Sequence, residues 1–194
     1  MSILVLTSDT LIGTPATGNI EYNGQFFGTD SNASRAQMQR IVRATAVAST
    51  SGTSIDFTGL PAWVKRVTVM FQGVSTGGTS NLLIQLGSGS ITSSGYSSVA
   101  SQATGGATST AGFITTVTLA AASASARYGQ STLTNITGNT WVVSGLNTPI
   151  DNSLVASISV GSIALAGVLD RVRITTVNGT DTFDAGSINI LYEG

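Results

Sequence analysis

Residues that could carry chemistry are few in this chain, and they are densest in the stretch IDFTGLPAWVKRVTVMF at 55–71. It contains Trp63 and the pair formed by Arg66 and Lys65, the only lysine of the sequence. An exposed tryptophan can stack on a sugar ring, and neighbouring cations can bind acidic substituents of that sugar. The apolar residues that alternate along 67–71 indicate instead a core strand with the cations on its outer face. We favour this structural interpretation.

Catalysis finds little support in the sequence. A glycoside hydrolase needs two carboxyl groups at a defined separation, and the acidic residues here are scattered along the chain. Asp181 and Asp184 could join backbone oxygens around Ca²⁺, although such residues more often cap turns. The absence of His and Cys excludes a Ser-His-Asp triad, thiolate metal sites and disulfide bonds. We therefore expect a protein that is not an enzyme and that uses no metal and no cofactor.

The charge balance narrows the classes of partner. Charged residues make up 9% of the 194 residues and the formal net charge is −1, so no electrostatic attraction favours nucleic acid or anionic lipid. No apolar run approaches the roughly 18 residues that span a bilayer. No charged region precedes the apolar residues 3–6, so we expect no secretory signal. A surface rich in Ser, Thr, Asn and Gly is typical of extracellular β-proteins and of subunits buried against partners.

Binding residues are expected in the small, polar stretch at 88–111, SGSITSSGYSSVASQATGGATSTA. Its composition predicts a long exposed loop around one aromatic residue, Tyr96, and loops on rigid scaffolds commonly carry binding groups. Hydroxyl groups both donate and accept hydrogen bonds, which suits neutral sugars, and Tyr96 could cover an apolar sugar face. For Trp141 and Tyr128, packing within the protein is the alternative. The candidate ligand-binding residues are Tyr96, Ser94, Ser97, Tyr128 and Trp141.

The elements that would position these residues are β-strands. From about residue 40 onwards, roughly ten β-rich runs are separated by Gly, Pro, Asn and Ser, which predicts one β-sandwich or jelly-roll domain over residues 40–194. Residues 1–39 differ, because turn signals recur every few residues and Asn23–Gly24 is a hairpin signal. This segment is too short to bury a core of its own. We predict an all-β fold in which a hairpin-rich attachment or oligomerisation segment precedes the sandwich.

Three stretches carry a family resemblance: SGTSIDFTGLPAWVKRVTVMFQGVSTGGTSNLLIQLGSG, TWVVSGL and LAGVLDRVRITTVNGTDTFDAGSINILYEG. They resemble the C-terminal β-domain found on many bacteriophage tail-fibre and related virion proteins. The N-terminal LIGTPATGNIEYNGQFFGTD is similar to the short module that often precedes such domains. Together the similar segments cover residues 9–30 and 50–194. The resemblance implies a homotrimeric virion component with a receptor-facing β-domain.

The expected function follows from that resemblance. We expect a non-enzymatic structural protein of a phage virion, namely a short tail fibre or fibre tip that adheres to a glycan on the host surface. The alternative is a capsid decoration protein or head fibre, located on the capsid surface and not on the tail. The expected partners are further copies of the chain in a homotrimer, other virion proteins bound through the N-terminal segment, and a host glycan. We expect no binding to nucleic acid and no insertion into a membrane.

Overall fold

The computed structural model of the chain describes residues 14, 16–23, 25–103, 105–117, 125–149 and 156–194. It divides into two units, Met1–Arg40 and Ile41–Gly194, whereas the sequence predicts a boundary between residues 39 and 40. The described residues form seventeen β-strands and no helix. The all-β prediction is confirmed.

The first unit contains a three-stranded antiparallel sheet. Its strands are β1 (Ile20–Tyr22), β2 (Phe26–Thr29) and β3 (Arg35–Gln37), in the order β1-β2-β3. Tyr22 lies opposite Phe26 in the pairing of β1 with β2, so the chain reverses at the predicted turn. The rings of these two residues are in contact, with centroids 5.0 Å apart. The predicted N-terminal hairpin is confirmed.

The two faces of this small sheet differ in polarity. Strand alternation places Glu21 and Arg35 on one face, where Arg35 donates hydrogen bonds of 2.7 and 3.2 Å to both oxygens of Glu21. The opposite face is apolar and largely open to solvent: Ile20 is 67% exposed, Phe26 44% and Met38 43%. This face also carries Tyr22, Gly28 and Ala36. The described part of this unit therefore buries little apolar surface of its own.

The second unit is a β-sandwich built from two antiparallel sheets. Its strands are β4 (Ile41–Arg43), β5 (Val47–Ala48), β6 (Ile55–Thr58), β7 (Arg66–Thr76), β8 (Leu82–Ser88), β9 (Ser90–Ile91), β10 (Ser97–Gln102), β11 (Gly105–Ser109), β12 (Phe113–Ile114), β13 (Arg127–Thr137), β14 (Thr140–Pro149), β15 (Ser157–Ala164), β16 (Arg171–Thr176) and β17 (Phe183–Glu193). The large sheet has the order β11-β10-β15-β14-β13-β7-β17-β4, with β5 also paired to β17. The small sheet has the order β12-β8-β16-β6, with β9 paired to β8.

Strand β7 anchors the core between the sheets. Val67, Val69 and Phe71 are at most 5% exposed and belong to the main hydrophobic cluster. Arg66 points to the other face and is exposed, as alternation requires. Trp63 is partly buried and packs against the same cluster. The interpretation of this stretch as a core strand with a charged outer face is confirmed.

The other half of the large sheet reverses the usual arrangement of polar and apolar side chains. On β10, β14 and β15, the buried polar residues are Ser98, Asn147, Ser157 and Ser159. The exposed apolar residues on the same strands are Val99 (38%), Leu146 (57%), Ile158 (61%) and Val160 (47%). Over this part of the strands, solvent thus meets the apolar side chains, and the interior holds the hydroxyls and the amide. Towards the other ends of β14 and β15 the usual arrangement returns, because Trp141, Val143 and Ile163 are buried in the main core.

Backbone hydrogen bonding explains this reversal. Residues 113–117, which begin as β12, are at most 7% exposed, so their N–H groups need partners within the protein. The N–H of Ile114 donates to the hydroxyl oxygen of Ser98 at 3.0 Å, and the N–H of Val117 donates to that of Ser157 at 3.2 Å. Because strand side chains alternate, an inward serine forces its apolar neighbours outward.

The prediction of a long exposed loop over residues 88–111 is wrong. Strands β9, β10 and β11 occupy most of this range, and β10 pairs with both β11 and β15. Ser, Thr, Gly and Ala resemble a loop in composition, yet here they form a hairpin at one edge of the large sheet. Regular backbone pairing holds this segment.

Candidate functional site

An open groove of about 530 Å³ lies at the β11 edge of the large sheet. Strands β10, β11 and β15 form it together with the residues that flank them. Its lining consists of Tyr96, Ser97, Ser98, Val99, Thr108, Ser109, Thr110, Val160, Gly161 and Ser162. Most of these side chains end in a hydroxyl group.

Strand register fixes the arrangement of the groove. Val99 on β10 lies directly opposite Val160 on β15, and Ser97 lies opposite Ser162. Thr108 on β11 lies opposite Val99 on the other side. Side chains at directly opposed positions have Cβ atoms about 4.5–5.5 Å apart. A pair of valines is therefore bordered by hydroxyl groups within one side-chain length.

A glycine and a serine hold the strands under the groove close together. A Cβ atom on Gly161 would lie 2.6 Å from the carbonyl oxygen of Ser97 and 2.9 Å from the Phe113 ring, distances that no side chain tolerates. The buried Ser98 hydroxyl donates a hydrogen bond of 3.5 Å to the carbonyl oxygen of Val160 and accepts one from the N–H of Ile114. The floor of the groove is thus closely packed.

Tyr96 ties the rim of the groove to the core. Its ring packs edge-on against Phe113, with centroids 5.0 Å apart and an interplanar angle of 88°. Its hydroxyl oxygen accepts a 2.7 Å hydrogen bond from the N–H of Leu86 and donates to the carbonyl of Thr92 at 3.0 Å. Its own N–H donates to the Thr110 carbonyl at 3.1 Å. These contacts join β8, β10 and the end of β11.

Burial of Tyr96 also changes its ionisation. Desolvation raises the pKa of its phenol from the ordinary value of 10.0 to about 12, and the hydrogen bond from Leu86 opposes this shift only in part. The side chain is neutral at physiological pH, as any tyrosine is, and its raised pKa keeps it neutral well into the alkaline range. It acts in the groove as a fixed structural support and supplies no charge.

The groove lies in a part of the sheet that carries no exposed charge. Strands β10, β11, β13, β14 and β15 together contain one ionisable cation and no carboxylate, and that cation, Arg127, is 3% exposed. In the described part of the sandwich, the ion pairs lie on other strands: Arg66–Glu193, Arg171–Asp170 and Arg173–Asp56. The electrostatics of this region favour a neutral ligand over an ionic one.

The candidate residues from the sequence divide into two groups. Ser97 and Tyr96 line the groove, but Tyr96 is 2% exposed, so the expectation of an exposed ring is wrong. Ser94 is exposed and lies outside the groove lining. Trp141 is 3% exposed and packs in the main core, which is the alternative that the sequence left open for it.

Tyr128 is also remote from the groove. It lies on β13, which β14 and β15 separate from β10, at about 5 Å per strand. Its hydroxyl oxygen is 3.4 Å from the position that a Cβ on Gly73 would take. The Tyr128 hydroxyl therefore lies against a bulged part of β7, where Gly73 has a φ of 64°.

Several groove residues escape a reading of the sequence. Val160 and Ser162 lie on a predicted strand for which the sequence indicates no ligand contact, and Val99 lies in the stretch 88–111 where binding is expected but is not singled out there. A signal for them exists in the alternating segment SISVGSI at 157–163. Alternation of serine with Ile and Val over residues 157–160 shows that one set faces solvent, but it cannot show which set does so.

The acidic turn near the end of the chain is held by hydrogen bonds within the protein. The carboxylate of Asp181 accepts from the N–H of Ser80 at 2.8 Å and from the side-chain amide of Asn178 at 2.6 Å. The carboxylate of Asp184 accepts from the Ser75 hydroxyl. Among the described residues, no three His, Cys, Asp or Glu side chains are grouped so that they could hold a metal ion.

The pKa of Tyr96 leads to a testable pH dependence. Since the folded state keeps the phenol proton up to about pH 12 and the unfolded state loses it near pH 10, stability should fall as pH rises through this window. The slope from this residue reaches about 1.4 kcal/mol per pH unit. Tyr96→Phe should cost about 1–3 kcal/mol at pH 7, because the Leu86 N–H loses its partner, and should remove this slope. Urea unfolding of both proteins between pH 8 and 12 measures the difference; parallel curves would contradict it.

Comparison with known proteins adds no relative to this picture. No family model, no curated protein and no solved structure matches the chain. The resemblance to phage tail-fibre domains stays a prediction from the sequence. The described residues contain no helix that is long and apolar enough to cross a membrane.

Proposed function

We propose that this protein is a non-enzymatic adhesin that binds neutral carbohydrate through the groove formed by β10, β11 and β15. One observation carries the proposal: hydroxyl groups and a valine pair line the groove, in a half of the large sheet that exposes no charged side chain. Neutral sugars offer many hydroxyls that both donate and accept hydrogen bonds. The hydroxyls of serine and threonine also donate and accept hydrogen bonds, so they can bond to either role of a sugar hydroxyl.

The closely packed floor of the groove supports this function. Binding groups on paired strands lose little conformational freedom when a ligand binds, and this reduces the entropic cost of binding. The groove is open and shallow, so each site should bind weakly. An adhesin compensates by presenting several linked sites, since effective concentration then multiplies a weak affinity.

The setting we propose is the virion of a tailed phage, as a short tail fibre or fibre tip. The sequence resemblance supports it, and so does the pairing of a β-sandwich with a small amphipathic unit. The capsid decoration protein remains the alternative, because the same two units would serve to bind a capsid lattice. Electron microscopy of virions that carry the labelled protein distinguishes the two: label on the tail supports the fibre, and label on the shell supports the decoration protein.

The first unit is the proposed attachment and oligomerisation segment. Its apolar face exposes Ile20, Phe26 and Met38, and a three-stranded sheet needs such a face covered to be stable. Association of three copies through these faces would cover them and would bring the sugar-binding units together. Other virion proteins would bind the assembled segment.

A pair of serine substitutions tests the groove. Ser97→Ala combined with Ser162→Ala removes two opposed hydroxyls, and each lost hydrogen bond should weaken binding roughly fivefold. Thr137→Ala is the matched control, because Thr137 is exposed on β13 of the same sheet, which β14 and β15 separate from β10, and it lies outside the groove lining. Adsorption to host cells and binding to immobilised neutral glycans measure the effect. Equal binding by the double variant and the control would locate the site elsewhere.

A second substitution tests the oligomerisation segment. Phe26→Ser places a hydroxyl on the apolar face of the first unit and should reduce the molar mass found by light scattering from trimer to monomer at micromolar concentration. Gln37→Ser, an exposed change on the opposite face, should leave the trimer intact. A wild-type protein that is monomeric across this concentration range would refute the trimer.

A further inference from the structure

The opposed valines are the least expected part of the groove. Val99 is 38% exposed and Val160 47% exposed, and both lie directly opposite each other on paired strands. Hydroxyls border this pair on three sides: Thr108 lies opposite Val99, Ser144 lies opposite Val160, and the Ser97–Ser162 pair lies two residues along in one direction. In the other direction along β15 lies Ile158, which is 61% exposed but does not line the groove. The groove itself thus presents one small apolar spot with hydroxyls along most of its border.

An apolar spot of this size differs from an aromatic platform. Aromatic rings bind the broad apolar face of a pyranose, but the aromatic residue of this groove, Tyr96, is 2% exposed and holds its ring against Phe113. Two valine side chains offer a contact the size of a methyl group. A ligand hydroxyl placed there would lose its water without gaining a partner.

From this geometry we propose that the groove selects neutral sugars that bear a methyl group, of the 6-deoxyhexose type, with the methyl seated between Val99 and Val160. The inference rests on the proposed carbohydrate-binding function and specifies its ligand class. The remaining ring hydroxyls of such a sugar would bond to the border formed by Ser97, Thr108 and Ser162. The lack of exposed charge on these strands disfavours sialylated and other anionic sugars.

Matched sugars test the proposal directly. L-rhamnose and L-mannose differ only by a hydroxyl at carbon 6, as do L-fucose and L-galactose. Each would be displayed on a neutral polyacrylamide carrier, and binding to the full chain would be measured by biolayer interferometry. At least one 6-deoxy sugar should bind roughly tenfold more tightly than its hydroxylated counterpart. A sialic acid carrier should bind no better than the bare polymer.

Valine-to-threonine variants test whether Val99 and Val160 cause the preference for the 6-deoxy sugar. Val99→Thr and Val160→Thr keep side-chain shape and strand preference while adding a hydroxyl at the methyl contact. Each should reduce the ratio between the 6-deoxy sugar and its counterpart towards one. Leu146→Thr is the matched control: Leu146 is an exposed apolar residue of the same sheet that does not line the groove, and the ratio should stay unchanged.

The outcomes separate this inference from the proposed function. Equal binding of both members of each pair refutes the methyl selection and leaves carbohydrate binding intact. Failure of every neutral sugar to bind refutes both. If Leu146→Thr reduced the binding ratio as much as the valine variants, the preference would come from exposed apolar side chains in general. If Val99→Thr changed the molar mass of the protein, Val99 would lie in a subunit interface. Either result overturns the inference.

Discussion

Two hydrogen bonds from buried backbone N–H groups to serine side chains constrain the half of the large sheet that contains β10, β14 and β15. Residues 113–117 run beneath the large sheet, where water cannot satisfy their N–H groups, and the hydroxyls of Ser98 and Ser157 accept from two of them. An unsatisfied buried N–H costs about 1–3 kcal/mol. The serines must therefore point inward. Strand alternation then turns Val99, Ile158 and Val160 outward, and an apolar outer surface results.

Tyr96 extends this constraint from the interior to the groove. The N–H of Leu86 donates to its hydroxyl, and its ring contacts Phe113, the first residue of the buried segment. Tyr96 directly precedes β10, whose outward side chains line the groove. One internal network thus determines both the inward serines and the position of the rim. In the proposed function, a ligand of low affinity binds to a preorganised site, which reduces the entropic cost of binding.

The sequence predicts the charged half of the sandwich better than the groove. Alternation along β7 predicts its buried face, because Val67, Val69 and Phe71 alternate with residues that include Arg66, and an exposed cation settles which set faces solvent. Residues 157–160 alternate just as strictly, but neither Ser nor Ile is excluded from either face. Which set faces inward is decided by the hydrogen bonds that N–H groups of residues 113–117 donate to serine hydroxyls. These contacts join segments distant in sequence, so no local pattern contains them.

The central claim is that the groove between β10, β11 and β15 is a carbohydrate site. Amide chemical-shift mapping tests it most directly, with millimolar L-rhamnose added to the isotope-labelled full chain. The account predicts shifts confined to residues 97–99, 108–110 and 160–162, which line the groove. Shifts centred on Trp63 and Lys65, with the groove unchanged, would contradict it and would return the site to the stretch that we interpret as structural.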